Sequence, residues 1–113
     1  MKISFNGFGE KVVTFEAADG VTKGSLVKIT GNGKVGACAK GDKFCGVAIN
    51  VREGLAAVQL GGYVQIPCET GMAVGYQSLN VSESGKAQVA STGGREVLVA
   101  DFDATNNICG VIL

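Results

Sequence analysis

Glycine occurs at 18 of the 113 positions, and its placement constrains the fold more than any other feature of the sequence. The glycines separate short apolar runs and do not gather in one flexible linker. This spacing is typical of an all-β fold, because glycine supplies the turn conformations that join short strands. No segment keeps a helical period for more than two turns. The sequence therefore predicts an all-β single domain, a small barrel or sandwich of about eight to ten short strands with hairpin connections.

Turn residues place the predicted hairpins along the chain. The Asn32-Gly33 step lies between apolar runs at 25–30 and 34–38, which is the strongest short hairpin signal. Gly61-Gly62 predicts a second hairpin, and Ser84-Gly85 predicts a third. Further strands are predicted at 3–5, 12–16, 44–51, 55–60, 63–68, 73–81, 86–90, 96–102 and 108–113. Residues 1–11 are interpreted as an N-terminal arm or edge strand, and residues 12–113 as the β domain.

The run at 44–51 is nearly all apolar, which predicts a strand that is buried on both faces. Phe44 within it, and Phe102 in another apolar strand, are predicted core residues. Hydrophobic residues make up 46% of the chain and the mean hydropathy is +0.28. A small domain has a large surface for its volume, so part of this apolar content is expected to face a partner chain.

The charge balance excludes two classes of partner. Lysine and arginine number 10, as do aspartate and glutamate, so the formal net charge is zero. A nucleic-acid-binding protein is expected to carry a basic footprint, and a peripheral membrane protein a polybasic patch. We therefore expect neither nucleic acid nor membrane as a partner. Near-neutral charge favours association between copies.

The N-terminal residues lack the long apolar region of a signal peptide. The longest apolar stretches, such as 97–100, are far too short to span a membrane. These two features predict a soluble protein that is made in the cytoplasm.

Catalysis finds little support in the residue types present. Histidine is absent, which excludes the Ser-His and Cys-His pairs of nucleophilic catalysis. A zinc site would need all four thiolates, of Cys38, Cys45, Cys68 and Cys109. Their neighbours are apolar, so we predict free thiols that pack as small hydrophobes. No catalytic residue, cofactor or metal is expected, and the chain is interpreted as not an enzyme.

Asp101 and Asp103 lie two apart and would share one face of a strand, where they could bind Ca²⁺ or act as paired carboxylates. The EF-hand pattern fails, because its sixth and twelfth positions fall on Asn106 and Ile112. Solvated carboxylates at a strand end or in an Asx-turn are the favoured interpretation.

Lys86 follows Gly85 at a predicted hairpin tip and resembles the modified lysine of lipoyl-carrier hairpins. In that pattern an acidic residue precedes the lysine, and glycine replaces it here. A carrier or assembly module modified at Lys86 is therefore kept as the alternative function.

Four segments carry a family resemblance: 22–29 (TKGSLVKI), 46–50 (GVAIN), 57–64 (AVQLGGYV) and 109–113 (CGVIL). Together they resemble the capsid cement, or head decoration, proteins of tailed phages and prophages. In that family a GVA strand is followed by a VQLGG hairpin. The resemblance covers residues 12–113 and consists of glycine- and valine-rich strand signatures.

The resemblance implies a non-enzymatic structural protein that sits on the outer surface of a phage capsid and reinforces the shell. Its expected partners are the major capsid protein and further copies of itself, in a homotrimer. Its expected location is the capsid surface of the virion, after synthesis in the cytoplasm of the host bacterium. Phe5 and Phe8 are then candidate partner-binding residues, since exposed aromatics on an arm anchor interfaces well. An edge strand that packs on its own domain is the alternative for this segment.

Overall fold

The structure, a computed structural model, describes residues 10–113, which form ten strands and no helix. The all-β prediction is therefore confirmed, while the strand predicted at 3–5 lies outside the described residues. The strands are β1 (Lys11–Ala17), β2 (Leu26–Gly31), β3 (Lys34–Ala37), β4 (Gly46–Arg52), β5 (Leu55–Gly61), β6 (Tyr63–Pro67), β7 (Gly75–Val81), β8 (Ala87–Val89), β9 (Arg95–Asp103) and β10 (Ile108–Ile112).

The ten strands divide into two halves of five. Strands β1 to β5 form a closed barrel in the order β1-β3-β2-β4-β5, which closes through antiparallel pairing of β1 with β5. Strands β6 to β10 form a sheet in the order β6-β10-β9-β7-β8, and its neighbouring strands are antiparallel. The barrel and the open sheet thus follow each other along the chain.

Two of the three predicted hairpins are confirmed, since β2 pairs with β3 and β7 pairs with β8. The hairpin predicted at Gly61-Gly62 is wrong. Strand β5 pairs with β1 and β4, and β6 pairs with β10. Closing the barrel uses both edges of β5, so no edge is left for β6. Gly62, with φ of 81°, instead carries the chain from the barrel into the sheet.

The buried side chain of Gln59 bridges this crossover. Its amide nitrogen donates to the carbonyl of Gly61 at 3.0 Å and to the carbonyl of Tyr63 at 2.8 Å. These two bonds fix the path of the chain between the halves, because a buried amide needs its hydrogen-bond partners.

Two hydrophobic clusters hold the molecule together. One lies in the barrel and contains Val21, Val27, Val35, Ala48, Ala56 and Val58. The other joins barrel and sheet and includes Leu26, Phe44, Val47, Ile66, Leu79, Val97, Val99, Cys109 and Val111. Each fully buried aliphatic side chain of this size contributes about 1.5–3 kcal/mol, so the second cluster stabilises the packing of the two halves against each other.

Strand β4 contributes to both clusters, because Val47 belongs to the cluster between the halves and Ala48 to the barrel cluster. The prediction of burial on both faces therefore holds for its first half, whereas Asn50 and Arg52 are exposed. Phe44 is buried, as predicted, and Phe102 packs half-buried against the cluster between the halves.

Candidate interaction surface

The outer face of the sheet carries a row of apolar side chains. Val97 and Val99 of β9 are buried, so Leu98 between them points to the opposite face. Leu98 pairs with Tyr76 of β7 and with Ile112 of β10. Paired residues of neighbouring antiparallel strands share a face, so these side chains stand side by side.

The row continues to the edge of the sheet, because Ile112 also pairs with Tyr63 of β6. We call these four residues, Tyr76, Leu98, Ile112 and Tyr63, the outer apolar row. It crosses four strands, from β7 through β9 and β10 to β6. The solvated face of an antiparallel sheet is normally polar, so this row makes the outer face of the sheet unusually apolar.

Exposure rises steeply toward one end of the row. Tyr76 is 74% exposed, and Val74, just before β7, is 63% exposed. Leu98 and Ile112 are half-buried, and Tyr63 is buried at the other end. Tyrosine is enriched among the residues that carry most of the binding energy of protein interfaces. The β7 end is therefore the part of the row with most surface available to a partner.

Tyr63 is held in place by its neighbours across the sheet. Its hydroxyl donates to Oδ2 of Asp101 at 2.8 Å, and the backbone N–H of Gly110 donates to Oδ1 of the same carboxylate at 3.2 Å. A Cβ on Gly110 would lie 2.6 Å from Cζ of Tyr63. Glycine is therefore required at this position for the tyrosine ring to lie against the sheet.

Burial raises the pKa of Tyr63, and the carboxylate of Asp101 raises the pKa further by accepting the hydroxyl proton in a hydrogen bond. A hydrogen bond with the side chain of Gln65 lowers the pKa and opposes these effects in part. The hydroxyl of Tyr63 therefore stays protonated at neutral pH and remains a donor.

The sequence analysis missed the outer apolar row, although two signals for it were present. The runs at 97–100 and 111–113 are apolar at consecutive positions, which in an antiparallel sheet means that both faces are apolar. Tyr76 gave a weaker signal, because an isolated aromatic residue can be core or surface.

Phe5 and Phe8, the candidate partner-binding residues predicted from the sequence, lie outside the described residues. The described chain begins immediately before β1, whose first residue Lys11 pairs with Gly61. That position is two residues from Tyr63, at the β6 end of the outer apolar row.

Lys86 does not project from the tip of its hairpin. The turn between β7 and β8 is closed by the bond from the N–H of Ser82 to the carbonyl of Lys86 at 2.7 Å. Residues 83–85 form the exposed tip, whereas Lys86 is half-buried beside it. A carrier lysine has to reach its modifying enzyme and its client enzymes, so this placement disfavours the carrier alternative.

Asp101 and Asp103 have separate partners. Asp101 binds Tyr63, as described, while Oδ1 of Asp103 accepts from the N–H groups of Thr105 at 3.0 Å and Asn106 at 3.3 Å. This is the predicted Asx-turn. Hydrogen bonds from the side chain and the N–H of Asn106 hold the pKa of Asp103 below its ordinary value. No group of three or more metal-ligating side chains comes together within residues 10–113.

An open depression of about 780 Å³ lies beside the β7–β8 hairpin and is lined by Lys40, Glu69, Ser82, Glu83, Ser84 and Gln88. Oε2 of Glu69 accepts from the hydroxyls of Ser82 at 2.7 Å and Ser84 at 2.8 Å. These hydrogen bonds lower the pKa of Glu69. Glu69 is thereby linked by two hydrogen bonds to the turn between β7 and β8.

A second depression, of about 620 Å³, is lined by Lys28, Ile29, Lys43, Phe44, Cys45 and Arg95. Two of its charged side chains, Lys28 and Arg95, have partners within the chain. Lys28 forms an ion pair of 2.5 Å with Asp42. The guanidinium of Arg95 donates to the carbonyls of Cys45 and Leu60, the latter at 3.1 Å.

All four cysteines are free, as predicted, with Cys68 and Cys109 buried and Cys38 and Cys45 half-buried. Burial raises the pKa of Cys109 to about 12 and that of Cys38 to about 11. Thiols with such high pKa values are unreactive at neutral pH. No helix in the described part of the chain is long and apolar enough to cross a membrane.

Comparisons with known proteins find a similarity in fold. No family model matches the chain, and no curated protein sequence matches it. A solved structure titled "The capsid of Myoviridae Phage XM1" contains a chain with a similar fold, at a TM-score of 0.62 and 18% sequence identity. The similarity covers 91% of this chain and 82% of that one. It shows that both chains share one fold over nearly their whole length.

Proposed function

We propose that the chain is a structural protein that binds the outer surface of a tailed-phage capsid shell and stabilises it. The fold shared with a chain of the phage XM1 capsid structure carries this proposal, because it extends over 91% of the chain. The resemblance of segments 22–29, 46–50, 57–64 and 109–113 to cement proteins supports the same role independently. On this proposal the chain is not an enzyme and needs no cofactor.

The proposed partners are the major capsid protein and further copies of this chain in a homotrimer. A protein repeated over a lattice gains avidity, since several weak contacts act together. The rigid barrel and sheet suit this use, because little conformational entropy is lost when preformed surfaces bind. The protein would then be made in the cytoplasm of the host bacterium and function on the capsid surface of the virion, without contacting nucleic acid or membrane.

Within the segment predicted as an arm, 1–11, Lys11 belongs to β1, so residues 1–9 are proposed to dock on a neighbouring subunit or on the shell, with Phe5 and Phe8 as anchors. Aromatic anchors bury a large apolar area with few rotatable bonds. Deletion of residues 1–9 is the cleanest test of this arm, since β1 begins at Lys11 and is left intact.

Cosedimentation with shells built from the major capsid protein of the same phage genome tests the function. We expect the chain to pellet with the shells, to saturate at a fixed ratio of copies, and to raise the temperature at which the shells disassemble. Light scattering of the free chain over a range of concentrations tests the trimer separately. A chain that stays in the supernatant at saturating concentration would contradict the proposed function.

A further inference from the structure

Strand β1 has an open edge over most of its length. On one side it pairs with β5 along residues 11–16, whereas on the other side only Glu16 and Ala17 pair, with β3, among residues 10–113. An open edge is a template for a further strand, and native proteins usually cover it. We propose that residues 1–5 of the same chain cover this edge as the first strand of a hairpin, and that the apolar face of this hairpin joins copies of the chain.

The backbone of Val12 points toward the open edge. The N–H of Glu16 donates to the carbonyl of Gly33, beside β3, at 2.8 Å. The N–H of Ala17 donates in the opposite direction, to the carbonyl of Gly54 beside β5, at 2.8 Å. Successive residues of a strand turn their backbone N–H and C=O groups to opposite sides. The even-numbered residues of β1 are therefore the ones that can bond a strand added at the open edge.

The Asn6-Gly7 step predicts a hairpin in the register that this edge requires. Asn-Gly is favoured in two-residue loops, because both central residues there adopt a positive φ. The residues that flank such a loop, here Phe5 and Phe8, form a hydrogen-bonded pair, and every second pair beyond them is bonded in the same way. The bonded pairs are then 5 with 8, 3 with 10 and 1 with 12. A loop displaced by one residue would bond odd-numbered residues, whose backbone groups point toward β5.

All apolar side chains of the hairpin fall on one of its faces. Val58 and Ala56, which are buried in the barrel, pair with residues 13 and 15 of β1. Val12 alternates with these residues, so it points away from the barrel interior, and it is 40% exposed. Paired residues of antiparallel strands share a face. The outward face therefore carries Met1, Ile3, Phe5, Phe8, Glu10 and Val12, and the opposite face carries Lys2, Ser4, Gly9 and Lys11.

This outward face is a contact surface, and a second copy of the chain is the partner that we assign to it. Contiguous apolar patches on a soluble protein mark interaction sites. Phe5 and Phe8 alone bury roughly 300–500 Å², about half of the roughly 800 Å² that each partner contributes to a standard interface. The formal net charge of zero adds no repulsion between copies. Another copy is also the partner present before any shell is met.

The inference rests on the self-association in the proposed function and is independent of capsid binding. It specifies how the arm is built, since a hairpin that extends β1 is a preformed surface. Preformed surfaces lose less conformational entropy on binding than flexible segments do. Phe5 and Phe8 would then lie side by side across the hairpin and act as one anchor.

Amide hydrogen exchange of the full chain, followed by NMR, tests the hairpin. The amide of Glu10 would donate to the carbonyl of Ile3, so we expect Gly7→Val to accelerate its exchange about tenfold or more. Valine does not tolerate the positive φ of the loop. Ser4→Val, which places the same side chain on a strand position, should retain the protection. The amide of Val13, which points toward β5, should stay protected in both variants.

Two results would overturn the hairpin. One is an unprotected Glu10 amide in the unsubstituted chain, and the other is an equal loss of protection in Gly7→Val and Ser4→Val.

Light scattering over a range of concentrations tests the contact face with a second matched pair. Phe5→Asp places a carboxylate on the apolar face, and Ser4→Asp places the same group on the opposite face of the same strand. We expect Phe5→Asp to weaken association of the chains about tenfold or more, and Ser4→Asp to change it by less than about twofold. Equal effects of the two substitutions would overturn the assignment of this face.

The two measurements fail separately. A trimer with an unprotected Glu10 amide contradicts the hairpin and leaves the homotrimer standing. A protected Glu10 amide in a chain that is monomeric at every concentration contradicts the contact face and the self-association, while cosedimentation with shells remains a separate result.

Discussion

The guanidinium of Arg95, at the start of β9, donates to the backbone carbonyl of Leu60 in β5 at 3.1 Å and also to the carbonyl of Cys45. One side chain of the sheet thus satisfies two carbonyls of the barrel. Hydrogen bonds from a charged donor contribute more than neutral ones, so Arg95 stabilises the contact between the barrel and the sheet.

Arg95→Met should lower the free energy of unfolding by about 2–3 kcal/mol, because two backbone carbonyls between the barrel and the sheet lose a charged donor. Denaturant unfolding followed by circular dichroism measures the change. Arg52→Met is the matched control, since Arg52 is exposed, and it should change the free energy by about 0.5 kcal/mol or less. Equal effects of the two substitutions would show that the hydrogen bonds of Arg95 do not contribute to the free energy of unfolding.

Gly110→Ala should destabilise the fold by about 1–3 kcal/mol, because the added Cβ collides with the ring of Tyr63 and with Asp101. The same substitution in a Tyr63→Ala background should cost much less, since the ring is gone. A double-mutant cycle of unfolding free energies measures the coupling. Additive effects would contradict the packing of Tyr63 over Gly110.

Glu69 should titrate below the ordinary glutamate pKa of 4.5, because the hydroxyls of Ser82 and Ser84 donate to its carboxylate. Its contribution to stability is then fully present above about pH 4.5 and is lost as the pH falls through the lowered folded pKa. Ser84→Ala should move the pKa back toward 4.5, as seen by NMR titration of the carboxyl carbon. Ser91→Ala, at an exposed serine elsewhere, should leave the titration of Glu69 unchanged.

Thiol labelling should find no rapidly reacting cysteine in the folded protein at pH 8. With a pKa of about 11, Cys38 is only about one-thousandth thiolate at that pH. Cys68 and Cys109 are also shielded by full burial. We expect all four thiols to react after unfolding in guanidinium, and mass spectrometry of the native reaction to find Cys38 and Cys45 labelled first. Fast native labelling of Cys109 would contradict the packing of β10.

Local signals in the sequence were enough to predict the fold class and most strands. Asn32-Gly33 and Ser84-Gly85 each mark a turn that the structure contains, because hairpin geometry is decided by the turn residues themselves. Gly61-Gly62 carries the same local signal and misled the prediction. A glycine pair forms a hairpin only if the strand before it has a free edge for the strand after it. Here β5 has no free edge, because it closes the barrel by pairing with β1.

The outer apolar row depends on contacts between distant parts of the sequence, which is why the sequence analysis missed it. Tyr63, Tyr76, Leu98 and Ile112 become neighbours only through the register of four strands. Strand order and register are not contained in the periodicity of a single sequence. The apolar run of β10 did indicate a second buried face, but it did not identify which residues lie beside it.

Electron cryomicroscopy of shells saturated with the chain tests the central claim most directly. The account predicts added density on the outer surface of the shell, in repeated clusters around local three-fold positions, into which the barrel and sheet fit as one rigid unit. Added density on the inner surface, or shells without added density at saturating concentrations of the chain, would contradict the claim that this protein is an external structural component of a phage capsid.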